Sequence, residues 1–142
     1  MPVELLEHKI DIILAEDDVF AQEVFVDIFE EQEWPKPALA SDGVEALEQI
    51  AKQEFDILVT DLNMPRMGGH ELIGKTLELQ PEVAIIVITG NATVDSAVEL
   101  MKAGVYDYIT KPYTIDQLLV CLQKARDHVI RRQEINGFAE VV

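Results

Sequence analysis

One cysteine, eleven basic residues against twenty-seven acidic ones, and no apolar run long enough to cross a bilayer: the chain is defined first by what it lacks. A lone Cys121 cannot close an internal disulfide, and in its apolar helical setting it reads as a small core residue rather than a reactive thiol. A spanning helix needs about 20 consecutive apolar residues, and runs such as Val83 to Ile88 are far shorter. The opening residues Met1-Pro2-Val3-Glu4 have neither the basic nor the apolar segment of a signal peptide. No membrane partner is expected, and the cytoplasm is the expected compartment. Binding to nucleic acid rests on Lys and Arg neutralising phosphates. A net charge of −16 works against that, so no direct nucleic-acid binding by this domain is expected. Such a surface keeps a domain soluble and suits basic protein partners or a divalent cation. There is no internal repeat and no low-complexity segment. The 142 residues, 49% hydrophobic, fit one folded domain with a sizeable core.

What is present is an alternation. Residues 1–8 carry no clear period and read as a frayed end. Ile10 to Ala15 reads as a strand, with Asp11 expected near its start or paired. Glu16-Asp17-Asp18 stops it, and Asp18 is the expected cap of a helix in which Phe20, Val24 and Ile28 recur with Ala21, Phe25 and Phe29 beside them. Trp34-Pro35-Lys36-Pro37 ends that helix. Ala38 to Ala40 is a weak strand; Ser41-Asp42-Gly43 turns into a helix with Val44, Leu47 and Ile50 on one face. Phe55 to Thr60 is the third strand, delivering Asp61 to a loop with Pro65, Gly68 and Gly69. A helix from about Gly69 to Leu79 points Leu72, Ile73 and Thr76 inward. Val83 to Ile88, apolar throughout, fits a strand covered on both faces. After Thr89-Gly90-Asn91 comes a helix with Val94, Ala97, Val98 and Met101 on one stripe, closed by Gly104. Val105 to Ile109 is the fifth strand. The last helix starts near Thr114, with Ile115, Leu118, Leu119, Leu122, Ala125 and Val129 at helical spacing. The basic residues Lys124, Arg126, Arg131 and Arg132 read as cations complementing its C-terminal dipole.

Strand then helix, five times, implies a parallel sheet with right-handed crossovers and helices on both faces. All strand ends then share one rim, where ligands bind in open α/β sheets. Glu16, Asp17, Asp61, Thr89 and Lys111 should therefore meet. Crowded carboxylates raise one another's pKa, and a hard cation such as Mg2+ relieves the repulsion while serving phosphate chemistry. Lys111 offers a point charge and Thr89 a hydroxyl for phosphoryl oxygens, and Gly90 leaves room beside them. Asp61, central among them, suits a nucleophile that becomes an acyl phosphate. Each residue also has an ordinary role open to it: Thr89 favouring a strand end, Tyr108 half-buried on a sheet, Lys111 solvated at the surface.

The segments Ile13-Leu14-Ala15-Glu16-Asp17-Asp18, Asp56 through Pro65, Ile88-Thr89-Gly90 and Asp107-Tyr108-Ile109-Thr110-Lys111-Pro112 stand in order at the ends of successive expected strands. With them the chain resembles the receiver domain of two-component response regulators over about residues 8–130. The resemblance implies a flavodoxin-like (βα)5 three-layer sandwich, its five-stranded parallel sheet in the order 2-1-3-4-5. It implies that Asp61 is the phosphoacceptor and Asp17 the direct Mg2+ carboxylate. Glu16 becomes the outer acid acting through water, and the main-chain carbonyl of Asn63 completes the metal set. It further implies Thr89 as the hydroxyl that follows the phosphate, Tyr108 as the aromatic switch, Lys111 as the family lysine and Lys111-Pro112 as a cis bond. Glu16 replaces the commoner Asp, and Thr60 stands where a larger apolar residue is frequent. Asn63 and Asn91, two residues beyond Asp61 and Thr89, should border the path of hydrolytic water and set the phosphate lifetime. The implied partners are a sensor histidine kinase or phosphotransfer protein, and an output domain or effector. A second receiver is a further partner, in a homodimer through the fourth helix, fifth strand and fifth helix. The domain would catalyse only its own phosphorylation and dephosphorylation.

Two rival classes fit less well. A Mg2+-dependent aspartyl phosphatase of the haloacid dehalogenase type carries a second acid two residues after its nucleophile; here that position is Asn63, which is no proton donor. A dinucleotide-binding module needs a glycine-rich turn after the first strand, where this chain has Glu16-Asp17-Asp18. The expected division is an extension at 1–8, a receiver at 9–130, and at 131–142 a continuation of the last helix or the start of a linker. That helix is expected to reach about Glu134, leading toward a linker or dimerising coil. The chain is expected to be either a stand-alone receiver or part of a longer regulator.

Overall fold

A computed structural model describes residues 9–91 and 93–141, with side chains through Asn136. The expected frayed end at residues 1–8 lies outside the described residues. The order is β1 Ile12–Ala15, α1 Val19–Glu31, β2 Ala38–Ala40, α2 Gly43–Lys52, β3 Ile57–Asp61, α3 Gly69–Leu79, β4 Ala84–Thr89, α4 Val94–Lys102, β5 Asp107–Thr110 and α5 Ile115–Val141. The strands form one parallel sheet ordered β2-β1-β3-β4-β5. This is the flavodoxin-like topology that the resemblance implies.

The pleat sorts the core into two halves. Ile12, Leu14, Ile57, Val59, Ile86 and Ile88 face α1 and α5, meeting Phe25, Phe29, Leu118 and Leu122. Ile13, Leu58, Ile85 and Val87 face the other way, meeting Ala46 and Ile50 of α2, Leu72 and Ile73 of α3 and Leu100 of α4. Apolar residues on both strand faces are what a sheet sandwiched between helices requires. Cys121 is buried in the first half, as expected; burial and the neighbouring Asp107 carboxylate push its thiol up to about 12.

Four strands begin one or two residues later than the apolar runs. Phe55, Val83 and Val105 are buried yet precede the ladder, and Ile10 behaves likewise before β1. At the other end Asp61, Thr89 and Thr110 join the ladder, Asp61 opposite Ile88 and Thr89 opposite Thr110. Apolarity marks burial; pairing depends on backbone position. Asp11 sits just before β1, its amide donating to Asp56 Oδ2 at 2.8 Å, so it lies at the strand's start as expected.

The helix caps follow the sequence. Asp18 accepts from the Phe20 amide at 2.9 Å, Asp42 from the Glu45 amide at 2.9 Å, and Gly104, at φ +100°, takes the left-handed conformation after α4. Three expectations need correction. Phe20 is 72% exposed, because the inward face of α1 is Phe25, Ile28 and Phe29. The α4 stripe of Val94, Val98 and Met101 faces outward, and Leu100 is the buried residue of that helix. The basic residues of α5 do not cap a dipole, because the helix runs on to Val141. Arg126 instead lies 4.4 Å over the Trp34 ring. Arg132 Nη1 donates to the Glu82 carbonyl, with Nη2 4.0 Å from Asp56 Oδ1. Gln133 Nε2 donates to the Lys9 carbonyl at 3.2 Å. The Arg132 and Gln133 bonds hold the continuing helix against the amino-terminal end of β1, β3 and β4, the end of the sheet opposite Asp61.

Candidate functional site

Asp61 is the last residue of β3 and is 5% exposed. Both carboxylate oxygens are engaged. Lys111 Nζ lies 2.5 Å from Oδ2, and the Asn63 amide donates to Oδ1 at 3.0 Å. Lys111 reaches this position because its own amide donates to the Thr89 carbonyl at 2.8 Å, tying the end of β5 to the end of β4. The Lys111-Pro112 bond is cis, as the resemblance implies. Burial alone would lower the lysine pKa, but the hydrogen bond and charge of Asp61 outweigh it and raise it, so Lys111 is a fixed cation.

Glu16 is pinned from its backbone: its amide donates to the Ala40 carbonyl at 3.0 Å, and its carbonyl accepts from Gln22 Nε2 at 2.6 Å. Its side chain is buried beside Asp61, while Asp17 next to it is exposed. One oxygen from each of Glu16, Asp17 and Asp61 falls within 4.8 Å of the others. Burial first, then the Asp61 charge, push Glu16 up to about 7; Lys111 opposes them. Glu16 Oε2 is buried without a hydrogen-bond partner among the described residues. An orphaned carboxylate oxygen, in a hard-oxygen cluster with a single cation, fits a divalent ion of the Mg2+ type. Among the described residues none donates to the Asn63 carbonyl, which leaves it available as a further oxygen ligand.

Thr89 is 2% exposed, and its Oγ1 accepts from the Asn91 amide at 3.1 Å. The hydroxyl proton is given to no described group. Asn63 and Asn91 are exposed at the rim. A Cβ on Gly90 would meet no atom within 4 Å, so the room expected there is open space. Tyr108 is half-buried on β5 and lines a shallow cleft with Ala97, Val98, Met101 and Lys102. The structure thus brings Glu16, Asp17, Asp61, Asn63, Lys111, Thr89 and Asn91 to one rim and leaves Tyr108 off to the side, on the edge strand β5 next to Val87 of β4 and against α4.

Other residues shape the site in ways not read from the sequence. Tyr113 shares a cleft of about 580 Å³ with Glu16, Asp18, Gly90 and Lys111. Burial and the charges of Glu16, Asp61 and Asp18 raise its pKa against the pull of Lys111, keeping it a neutral hydroxyl. A Cβ on Gly69 would lie 2.5 Å from the Asp61 carbonyl oxygen, and one on Gly43 2.5 Å from the Met67 carbonyl oxygen. Only glycine lets these helix starts close on the Asp61 loop. The Gly68-Gly69 pair was the available signal.

The family model described as the response regulator receiver domain matches residues 12–123. The transcriptional regulatory protein ZraR of Escherichia coli (strain K12) is 33% identical over 125 residues, which are 87% of this chain and 28% of that protein. The chain therefore spans little more than a quarter of the length of this curated relative. Among solved structures, a CheY-like response regulator receiver domain protein from Methanospirillum hungatei JF-1 superposes with a TM-score of 0.80 at 26% identity, covering 88% of this chain and 99% of that one. The beryllofluoride-activated NtrC4 receiver domain dimer gives a TM-score of 0.77 at 28% identity, covering 84% and 98%. Five parallel strands in the order 2-1-3-4-5, an acidic rim closed by a lysine, and a family match over most of its length place this chain in the response regulator receiver domain family of two-component systems.

Proposed function

We propose that the chain is a phosphorylation-gated switch in which Asp61 is the phosphoacceptor. The observation that carries this reading is the Asp61 carboxylate itself, buried at the end of a central strand between the Lys111 ammonium and two further acids. An Asp61 oxygen attacks the phosphorus of a phosphohistidine on a sensor histidine kinase or phosphotransfer protein. The O–P bond forms, the P–N bond breaks, and its electron pair leaves with the imidazole. Lys111, released from Asp61 Oδ2, pairs with a phosphoryl oxygen. Glu16, Asp17, Asp61 and the Asn63 carbonyl would hold Mg2+, which when bound neutralises charge that builds on the phosphoryl oxygens. Thr89 donates its unused hydroxyl proton to the phosphate. Its movement empties space behind β4, which the Tyr108 ring turns in to fill.

Asn63 and Asn91 flank the approach of water and set the lifetime, since neither amide is a general base. The outlet is the face of α4, β5 and α5, where Val94, Val98 and Met101 are exposed. A second receiver or an output domain docks there, and the phosphate shifts an existing equilibrium between two packings. In this reading residues 9–130 are the receiver and the stretch from 131 on is an extension of its last helix, described through Val141, or the start of a linker. The protein works in the cytoplasm, and its only substrate is its own aspartate.

The test is to treat the protein with acetyl phosphate, with and without Mg2+, and map the adduct by mass spectrometry. A single Mg2+-dependent phosphoryl group on Asp61, absent from Asp61→Asn, is expected. Stable labelling elsewhere, or full labelling of Asp61→Asn, overturns the proposal.

A further inference from the structure

Outside the acidic rim, an ion pair ties the loop after β3 to the start of α2. Arg66 Nε donates to Asp42 Oδ2 at 2.6 Å and Nη2 to Asp42 Oδ1 at 3.2 Å. The Asp42 side chain is 9% exposed, and the same carboxylate caps α2 through the Glu45 amide at 2.9 Å. Arg66 holds φ at +64°, a left-handed conformation that a residue with a Cβ adopts only where its surroundings impose it. Beside it the Gly43 amide donates to the Met67 carbonyl at 3.2 Å, and the Met67 amide to the Pro65 carbonyl at 2.7 Å. The far turn of the loop is therefore docked on α2. Its near arm closes through the Gly69 amide to the Leu62 carbonyl at 2.9 Å. Between the two anchors lies Asn63, whose amide orients Asp61 Oδ1.

We propose that Arg66 is a positioning residue for the phosphoryl-transfer site: its forked pairing with Asp42 fixes the loop that carries Asn63, and so sets where the Asn63 carbonyl and the Asp61 carboxylate point. The inference rests on the reading of Asp61 as a Mg2+-dependent phosphoacceptor. Arg66 touches neither Asp61 nor any other member of the acidic cluster; it acts only through the backbone of its own loop. A guanidinium suits the task because its planar fork engages both carboxylate oxygens, whereas an ammonium fixes only a point. Reactive geometry is sensitive to displacements of about 1 Å, so a loosened loop weakens function while leaving the fold in place.

The experiment compares the full chain with Arg66→Gly, Arg66→Lys and Asp42→Asn. Glycine accepts the left-handed backbone and deletes the pair, while also loosening the backbone; asparagine leaves residue 66 untouched, keeps one oxygen for the helix cap, and removes the charge and the second acceptor of the fork. Three quantities are read: amide hydrogen exchange across residues 62–68 without metal, the Mg2+ midpoint of the thermal shift without phosphodonor, and the acetyl phosphate labelling rate against Mg2+. In Arg66→Gly and Asp42→Asn, exchange should quicken across the loop and the Mg2+ midpoint should rise roughly tenfold, as for loss of a group that orients a metal ligand. The urea midpoint without metal should stay near wild type. Arg66→Lys should recover the charge but not the midpoint. If wild type responds to Mg2+ and takes the label while both pair-deleting variants match it, the inference is overturned and the phosphoacceptor reading stands. The same holds if Arg66→Gly is impaired and Asp42→Asn is not. Wild type that takes no label at any Mg2+ concentration overturns the phosphoacceptor reading, and this inference with it.

Discussion

Glu16→Gln should make the metal-free protein more stable at neutral pH, and the gain should depend on pH in a calculable way. Glu16 is buried against Asp61, and its carboxyl is pushed from an ordinary 4.5 to about 7. A carboxyl with a raised folded-state pKa holds its proton more tightly when folded. It therefore contributes stability that is present below about 4.5, declines between 4.5 and 7 as the unfolded chain ionises first, and is gone above 7. At about 1.4 kcal/mol per pH unit, the interval amounts to about 3 kcal/mol. Most of it, about 2 to 3 kcal/mol, falls between pH 5 and 8. Glutamine keeps the shape and removes the titration. Urea unfolding in EDTA at pH 5, 6, 7 and 8 should show the variant's advantage over wild type widening by that amount. Using the difference cancels the titrating groups that do not face Glu16; Asp61, Asp17 and Lys111, which do, remain in it. Mg2+ added at pH 8 should stabilise wild type by mass action and the variant less, closing the gap. A difference that stays flat from pH 5 to 8, or that narrows with rising pH, would refute the placement of a crowded, buried carboxylate here.

Three other outcomes follow from the packing. Gly69→Ala should cost about 2 kcal/mol or more in urea unfolding, because its Cβ would lie 2.5 Å from the Asp61 carbonyl oxygen and 2.8 Å from the Leu62 Cα, backbone atoms that cannot step aside. Serine at Val94, Val98 or Met101 should change stability by no more than about 0.5 kcal/mol each, whereas Leu100→Ala should lose about 3 kcal/mol; equal losses would mean the stripe is not solvent-facing. Arg132→Ala should lower global stability by only about 1 kcal/mol while quickening amide exchange in α5 beyond residue 130, since Arg132 and Gln133 hold that segment to Glu82, Asp56 and Lys9.

The rim was legible because topology did the work. Five strand-helix alternations put Glu16, Asp61, Thr89 and Lys111 at like ends of parallel strands, and no side-chain detail was needed to bring them together. Strand limits were less legible, because Phe55 and Val83 are as apolar as the residues they precede yet pair with no neighbouring strand. Periodicity likewise revealed that Val94, Val98 and Met101 share a stripe but not what faces it; only the burial of Leu100 settles which way α4 is turned. The reading of Lys124, Arg126, Arg131 and Arg132 as dipole partners depended on where α5 ends, and it runs on to Val141. The Arg66–Asp42 pair spans 24 residues and depends on a left-handed backbone at Arg66. No spacing rule encodes that.

The unequal anchoring of the helices bears on where a perturbation at the rim can travel. α1 buries Phe25, Ile28 and Phe29, and α3 buries Leu72, Ile73 and Thr76, while α4 buries Leu100 alone. Burial of a large apolar side chain contributes about 1.5 to 3 kcal/mol, so displacing α1 would sacrifice three such terms (Phe25, Ile28, Phe29), α3 two (Leu72, Ile73) and α4 one (Leu100). What holds α4 in addition is its start, where Thr93 and Ser96 cap each other and the single Ser96 hydroxyl proton is shared between the Thr93 carbonyl at 3.0 Å and the Asn91 carbonyl at 3.3 Å. Asn91 in turn donates its amide to Thr89 Oγ1. One short chain of hydrogen bonds thus runs from the hydroxyl beside the acidic rim to the first turn of the least-anchored helix. Under the proposed function, redirecting the Thr89 hydroxyl strains the bond to Asn91 first and the cap of α4 next. In that reading the β1-β3-β4 core, buried at every strand position, gives no comparably cheap response, and the α4 face is where a change of state at Asp61 would be expressed.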